Sequence, residues 1–128
     1  MKNEKTFRFN DFIVYVNDAS KNQIFIGLNF KEEKDGKYYR VITDIFVFID
    51  LIEILKAFAG NKLNINKIYN LSDVFTATIV QKNAEKFLRI HFKNYSNSLH
   101  LCKFKCSALA AKFQKIIQRC EVWQELEA

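Results

Sequence analysis

Alternating apolar and polar positions predict strands in the first half of the chain. Residues 7–16 are rich in aromatic and β-branched side chains, and residues 24–30 alternate, with Ile24 and every second residue after it on one face. Asp35-Gly36 is typical of a hairpin turn. The chain is expected to return as a strand over residues 38 to about 45.

A helical spacing of apolar residues follows over residues 49–58, and Gly60-Asn61 is expected to end that helix. Residues 46–48 suit a strand or the start of the helix equally well. The only polar stripe consists of Asp50, Glu53 and Lys56, so the helix should be buried on most sides. Either the rest of the chain covers helix 49–58, or the helix forms an interface in a homo-oligomer.

The second half repeats this order of elements. Strands are predicted over residues 74–81, 87–93 and 99–105, with a turn over residues 82–85 between the first two. Ser107 is a good N-cap for a final helix that runs to about residue 120.

The two halves align at an offset of 62 residues, with residues 26–31 over residues 88–93. We therefore predict an α+β fold made of a tandem βββα-βββα pseudo-repeat, with room for a fourth strand in each unit. Residues 1–128 would form a single domain of two repeats, about 6–60 and 72–121. Chance similarity between two amphipathic hairpins is the alternative.

Charge is unevenly distributed along the 128 residues. The net charge is +6, and residues 61–128 carry the whole excess, because residues 1–60 hold nine basic and nine acidic residues. Residues 82–119 hold nine basic residues and one acid, Glu85. Such a field attracts polyanions, although a general bias towards Lys would also raise the count.

Several classes of protein are disfavoured by composition. The first ten residues lack the apolar region of a secretion signal, and the apolar run at residues 45–55 is too short for a membrane span and contains Asp50. Three cysteines without a secretion signal fit reduced thiols, so we expect a cytoplasmic protein with no membrane association. The absence of proline and the presence of only three glycines argue against Gly-rich phosphate loops.

The order of strands and helices resembles that of the Whirly and Pur-alpha-like single-stranded nucleic-acid-binding proteins. The residues that carry this resemblance are the strands around Phe30 and Phe92 and the apolar helices 49–58 and 109–120. It covers the whole chain as architecture, without the Lys-Gly-Lys-Ala-Ala-like stretch of the plant Whirly proteins. The resemblance implies two sheet-plus-helix repeats packed together and binding of single-stranded DNA or RNA.

If the alternating apolar residues point inward, each repeat presents aromatic and cationic side chains on its outer sheet face. Aromatic rings stack on unpaired bases, and Lys and Arg neutralise phosphates. The predicted function is therefore non-catalytic binding of single-stranded DNA or RNA. The predicted binding residues are Phe25, Lys31, Tyr39, Arg40, Phe87, Arg89, His91, Lys93, Lys103 and Lys105.

Other interpretations stay open. The basic sheet could be a merely solvated or internally covered surface. It could also be the docking face of an antitoxin or immunity protein that neutralises an acidic toxin. His100, Cys102 and Cys106 form an H-x-C-x3-C pattern that lacks a recognised zinc spacing, and no catalytic motif is present. We therefore expect no enzyme activity, no metal and no cofactor.

Overall fold

The computed structural model describes residues 4–8, 12–20, 23–31, 38–73, 75–93 and 98–118. In these residues the fold is α+β, with two antiparallel sheets and two helices, as the sequence predicts at that level. The chain divides into two compact units, Met1–Phe48 with Ile116–Ala128 and Ile49–Lys115.

The first sheet is an antiparallel meander of four strands in chain order. Its strands are β1 (Glu4–Arg8), β2 (Phe12–Ser20), β3 (Gln23–Lys31) and β4 (Tyr38–Asp44). The single strand predicted over residues 7–16 is therefore wrong, because the segment contributes to two strands that pair with each other. Both Ile13 and Val14 are buried, at 8% and 0% exposure. Since consecutive strand residues point to opposite faces, β2 is covered on both sides at this point.

Helix α1 (Ile45–Ala59) begins four residues before the predicted start. The Asp44 carboxylate caps its first turn by accepting a hydrogen bond from the backbone N–H of Val47, at 2.9 Å. The predicted polar stripe is confirmed, because Asp50, Glu53 and Lys56 are all exposed. Phe46 is 61% exposed, but six other apolar residues of the helix are buried within the single chain, so their burial requires no second copy: Ile45, Phe48, Leu51, Ile52, Leu55 and Phe58.

Asn61 ends helix α1 in a Schellman motif. Its φ of 58° is left-handed, its N–H donates to the Phe58 carbonyl, and the N–H of Lys62 donates to the Ala57 carbonyl. Asparagine tolerates this backbone conformation better than most residues. The predicted Gly60-Asn61 stop is confirmed, with the asparagine rather than the glycine at the left-handed position.

The second sheet also has four antiparallel strands in chain order. They are β5 (Tyr69–Asn70), β6 (Phe75–Lys82), β7 (Glu85–Phe92) and β8 (Ser98–Leu101). On β7 the side chains of Leu88, Ile90 and Phe92 are buried, and those between them are half-exposed. This period of two confirms the inward and outward assignment predicted for the strand.

A two-residue turn, Asn83-Ala84, joins β6 to β7 and lies where the turn was predicted. Lys82 pairs with Glu85 directly across it. Both turn residues have positive φ, 52° for Asn83 and 67° for Ala84, as a type I′ hairpin requires. Alanine is strained in this conformation because its Cβ approaches the following carbonyl oxygen.

Helix α2 (Lys103–Gln118) starts four residues before the predicted N-cap at Ser107. Its first hydrogen bond runs from the N–H of Cys106 to the carbonyl of Cys102, at 3.0 Å. The strand predicted over residues 99–105 therefore ends at Leu101. The buried side chains of α2 are Cys106, Leu109, Ala110, Phe113, Ile116 and Ile117, while Cys120, predicted on the same face, lies outside the described residues.

Of the two helices that the structure describes, neither has the length and apolar continuity needed to cross a bilayer.

The strained turn yields a stability prediction. Ala84→Gly should raise the free energy of unfolding by about 0.5–1 kcal/mol, because glycine adopts positive φ without steric cost but loses more conformational entropy on folding. Urea unfolding followed by circular dichroism measures the change.

Ala111→Gly is the matched control, because Ala111 is an exposed residue inside helix α2. The same chemical change there should destabilise the protein by about 1 kcal/mol. Destabilisation by both substitutions would contradict the left-handed conformation of Ala84.

Candidate nucleic-acid interface

The second sheet has one face that is buried and one that is half-exposed. The pairing register of the strands shows which residues form the half-exposed face, which we call the open face. Arg89 lies between Thr78 and His100 in the ladder, and His91 lies between Thr76 and Ser98. Directly paired residues share a side of the sheet. The open face therefore consists of Thr76, Thr78, Val80, Phe87, Arg89, His91, Ser98 and His100.

Ser98 contacts both Arg89 and His91 at the centre of the open face. Its hydroxyl oxygen accepts a hydrogen bond from Nε of Arg89 at 3.0 Å and lies 3.1 Å from Nδ1 of His91. A serine hydroxyl has one proton and two lone pairs. It can therefore accept from Arg89 while it either donates to Nδ1 of His91 or accepts from it, as the tautomer of the ring determines.

This arrangement orients Arg89 without using its terminal nitrogens. The bond to Ser98 involves Nε, whereas a phosphate is gripped most strongly through paired N–H groups of the guanidinium fork. Both Arg89 and His91 are half-buried. Such partial removal from water strengthens an electrostatic contact with an anion.

Charge on the described strands of this sheet is almost entirely positive. Glu85 is the only acidic residue in β5 to β8, and it lies opposite Lys82 at the hairpin end. Lys82 and Lys86 are exposed at that end, and Lys93 is exposed just after β7. An anionic chain along β7 would meet cations at both ends and in the middle.

Four of the predicted binding residues come together on or beside β7. Phe87, Arg89 and His91 occupy successive half-exposed positions, and Lys93 follows the end of the strand. Ser98 and His100 were not among the predicted binding residues. The alternation of residues 98–101, in which Leu99 and Leu101 are buried, was the signal that could have placed them on this face.

Lys103 and Lys105 were predicted on the sheet, and that placement is wrong. Both are exposed in the first turn of helix α2. A strand continued to residue 105 would have placed them on the same face as the buried Leu101, where unpaired charges are disfavoured. The pattern therefore changes from a period of two to a helical period at this point.

The remaining predicted residues lie in the first sheet and are described by their register. Phe25 is opposite Asn17 and Asp44, and Lys31 is opposite Tyr38. Tyr39 pairs with Phe30, whereas Arg40 pairs with Asn29. Consecutive residues of a strand alternate between faces, so the ladder does not bring Tyr39 and Arg40 to one surface.

Burial of Ile13 on β2 also makes the first sheet a weaker candidate for the interface than the second sheet. Asn29, the partner of Arg40, is also the partner of the buried Ile13. The side of the first sheet that contains Ile13 is therefore covered there. The open face of the second sheet is the better candidate interface.

Helix α2 also brings one exposed aromatic residue that the sequence analysis missed. Phe104 is 82% exposed and lies between Lys103 and Lys105. It borders an open groove of about 430 Å³, lined by Ala84, Glu85, Lys86, Cys102, Lys103 and Phe104. The groove is therefore lined by residues of the β6–β7 hairpin end and of the beginning of α2.

The cysteines and histidines do not form a metal site in the described part of the chain. No group of three or more His, Cys, Asp or Glu side chains is arranged there to hold an ion. His100 is exposed on β8, whereas Cys106 is buried in α2. Burial, with a smaller contribution from Cys102, raises the pKa of Cys106 from 9.0 to about 12. Cys106 is therefore an inert thiol of the interior rather than a nucleophile.

Comparison with known proteins adds no relative to this description. No family model matches the chain, and none of the curated proteins has a significant match to it. The functional interpretation consequently rests on the residues of the open face and of the groove.

The raised pKa of Cys106 predicts a pH dependence of stability. Between pH 9 and 12 the folded protein retains a proton that an unfolded cysteine releases. The resulting contribution to the free energy of unfolding is complete below pH 9 and is lost as the pH rises towards 12. Urea unfolding of the wild type and of Cys106→Ala, measured from pH 8 to 10.5, should show their difference in stability shrinking as the pH rises.

Cys102→Ala is measured in parallel, because Cys102 contributes less than burial to the raised pKa of Cys106, and its removal should leave most of the pH dependence in place. A constant difference between the wild type and Cys106→Ala across this pH range would contradict the burial of the Cys106 thiol.

Proposed function

We propose that this protein binds single-stranded DNA or RNA, without catalysis, on the open face of its second sheet. The observation that carries the proposal is the row Phe87, Arg89 and His91 on β7, with Ser98 in contact with both Arg89 and His91. Aromatic and cationic side chains in alternation are what an unpaired nucleotide chain requires.

Each group on the open face has a corresponding part of a nucleotide. The Phe87 ring offers a surface on which a base can stack, and the imidazoles of His91 and His100 offer two further planar rings. The Arg89 guanidinium suits the phosphodiester. Successive residues on one face of a strand are about 7 Å apart, so these contacts can follow the polynucleotide backbone along β7.

The shape of the surface favours a single strand over a duplex. Bases in a duplex are read by an element that enters a groove, usually a helix or a two-stranded ribbon. The open face belongs to the two central strands, β6 and β7, and to β8. Unpaired bases can lie on such a face, whereas the stacked interior of a duplex cannot reach it.

We also propose that the chain is an internal duplication of one sheet-plus-helix unit, in which a fourth strand extends the expected βββα pattern. Its support is that residues 26–31 lie on β3 and residues 88–92 on β7, each the third strand of its sheet. The helices that follow the sheets have 15 and 16 residues. The single domain with repeats 6–60 and 72–121 stays a prediction, as does the resemblance to the Whirly and Pur-alpha-like proteins.

The proposal predicts a salt-sensitive affinity for oligonucleotides. Fluorescence anisotropy with labelled dT and U oligonucleotides should show binding that weakens steeply as the salt concentration rises. Arg89→Gln should weaken binding about tenfold and reduce the magnitude of the salt slope by about one, because one phosphate contact is removed.

Lys62→Gln is the matched control for charge, since Lys62 is exposed after helix α1 and lies outside the sheet. It should leave the affinity nearly unchanged. Equal losses in the two variants would show that net charge alone attracts the oligonucleotide. If the wild type binds no oligonucleotide even at low salt, the proposed function is wrong, and an acidic protein becomes the partner to test.

A further inference from the structure

The groove beside helix α2 is bordered by Phe104, the most exposed large apolar side chain among the described residues. Phe104 leaves 82% of its surface in water, whereas Phe92 and Phe113 are almost fully buried. Exposing a ring of this size forfeits burial worth about 2 kcal/mol. The exposed Phe104 ring lies between two lysines in the sequence and is available to a ligand.

The lysines beside Phe104 are also unfavourable for the helix itself. The first turn of α2 contains Lys103 and Lys105 and no acidic residue. Because the N-terminal end of a helix carries a partial positive charge, cations there destabilise it, whereas carboxylates stabilise it. The stability of α2 comes from its buried face.

We propose that the groove lined by Lys86, Lys103 and Phe104 binds one nucleotide of the same strand that crosses the open face, with its base stacked on the Phe104 ring. This inference rests on the proposed function and identifies a second part of its binding site. The phosphate of that nucleotide is contacted by Lys86 and Lys103, which both line the groove.

The ladder makes the groove continuous with the open face. Glu85, which lines the groove, lies on the same side of β7 as Phe87, and Leu88 pairs with Leu101 of β8. Cys102 and Lys103, which follow Leu101, therefore lie beside the beginning of β7. A strand that passes over Arg89 and Phe87 towards the hairpin end reaches the groove next.

Glu85 is the one carboxylate that lines the groove. It repels a phosphate, so its removal should strengthen binding, in contrast to the removal of a lysine. This opposite sign makes Glu85 a useful probe of an anionic occupant.

The decisive variants separate stacking from simple hydrophobic contact. With a labelled dT oligonucleotide that spans both parts of the site, Phe104→Ala should weaken binding roughly 5- to 100-fold, the range for loss of one stacked base. Phe104→Leu keeps much of the apolar surface without a π-face and should be almost as weak. Phe104→Trp should retain the affinity. Glu85→Gln should bind more tightly, and Lys103→Gln less tightly.

Tryptophan fluorescence gives a direct signal from the groove. Phe104→Trp should show oligonucleotide-dependent quenching beyond that of the wild type, whose only tryptophan is Trp123. Circular dichroism of each variant checks that the fold is retained, and full affinity of Phe104→Trp shows that position 104 tolerates a large ring.

The outcomes distinguish this inference from the proposed function. Binding that requires Arg89 but is unchanged in Phe104→Ala overturns the groove and leaves the open face intact. Equal affinity of Phe104→Leu and the wild type overturns base stacking. Absence of oligonucleotide binding by the wild type overturns the proposed function and, with it, the groove. Selective loss in Phe104→Ala and Phe104→Leu, together with quenching in Phe104→Trp, supports the inference.

Discussion

The register between β6 and β7 is the constraint on which the candidate interface depends. A two-residue turn fixes the pairing of Lys82 with Glu85, and the ladder continues without interruption to the pair Phe75 and Phe92. Because side chains alternate along a strand, a slip of one residue would move Arg89 and His91 to the buried side. Burial of Leu88, Ile90 and Phe92 opposes such a slip. The same apolar residues that stabilise the sheet therefore determine that Arg89 and His91 face outward.

The cations in the second half of the chain affect stability differently on the open face and at the beginning of α2. On the open face, Arg89 is held by a hydrogen bond to Ser98, so its position is compatible with the fold. At the beginning of α2, Lys103 and Lys105 oppose the helix dipole. The helix forms because Cys106, Phe113 and other apolar residues with helical spacing bury one face. Packing thus tolerates a local charge arrangement that the helix alone would disfavour.

Much of the second sheet could be predicted from the sequence because apolar and polar residues alternate from Leu88 to Phe92. The strand at residues 87–93 and the outward position of Arg89 follow from that alternation, and the β-branched residues at 74–81 indicate the strand before the turn. The start of α2 was missed because the segment lacks a strong N-cap, whereas Ser107 offers one. The continuation of β8 would have aligned Lys103 with the buried Leu101. That conflict is visible in the sequence and marks the true boundary.

The end of β8 therefore determines the chemistry of the groove as well as the fold. If the strand continued, residue 104 would share a side of the sheet with His100. Because the helix begins at Lys103, the Phe104 ring instead borders the hairpin end of β7. The open face depends on the register of a ladder, and the groove depends on where a helix starts. These are separate constraints, so a substitution at Phe104 need not disturb Arg89 or the Ser98 contact that orients it. The two parts of the site can consequently be tested independently within one folded protein.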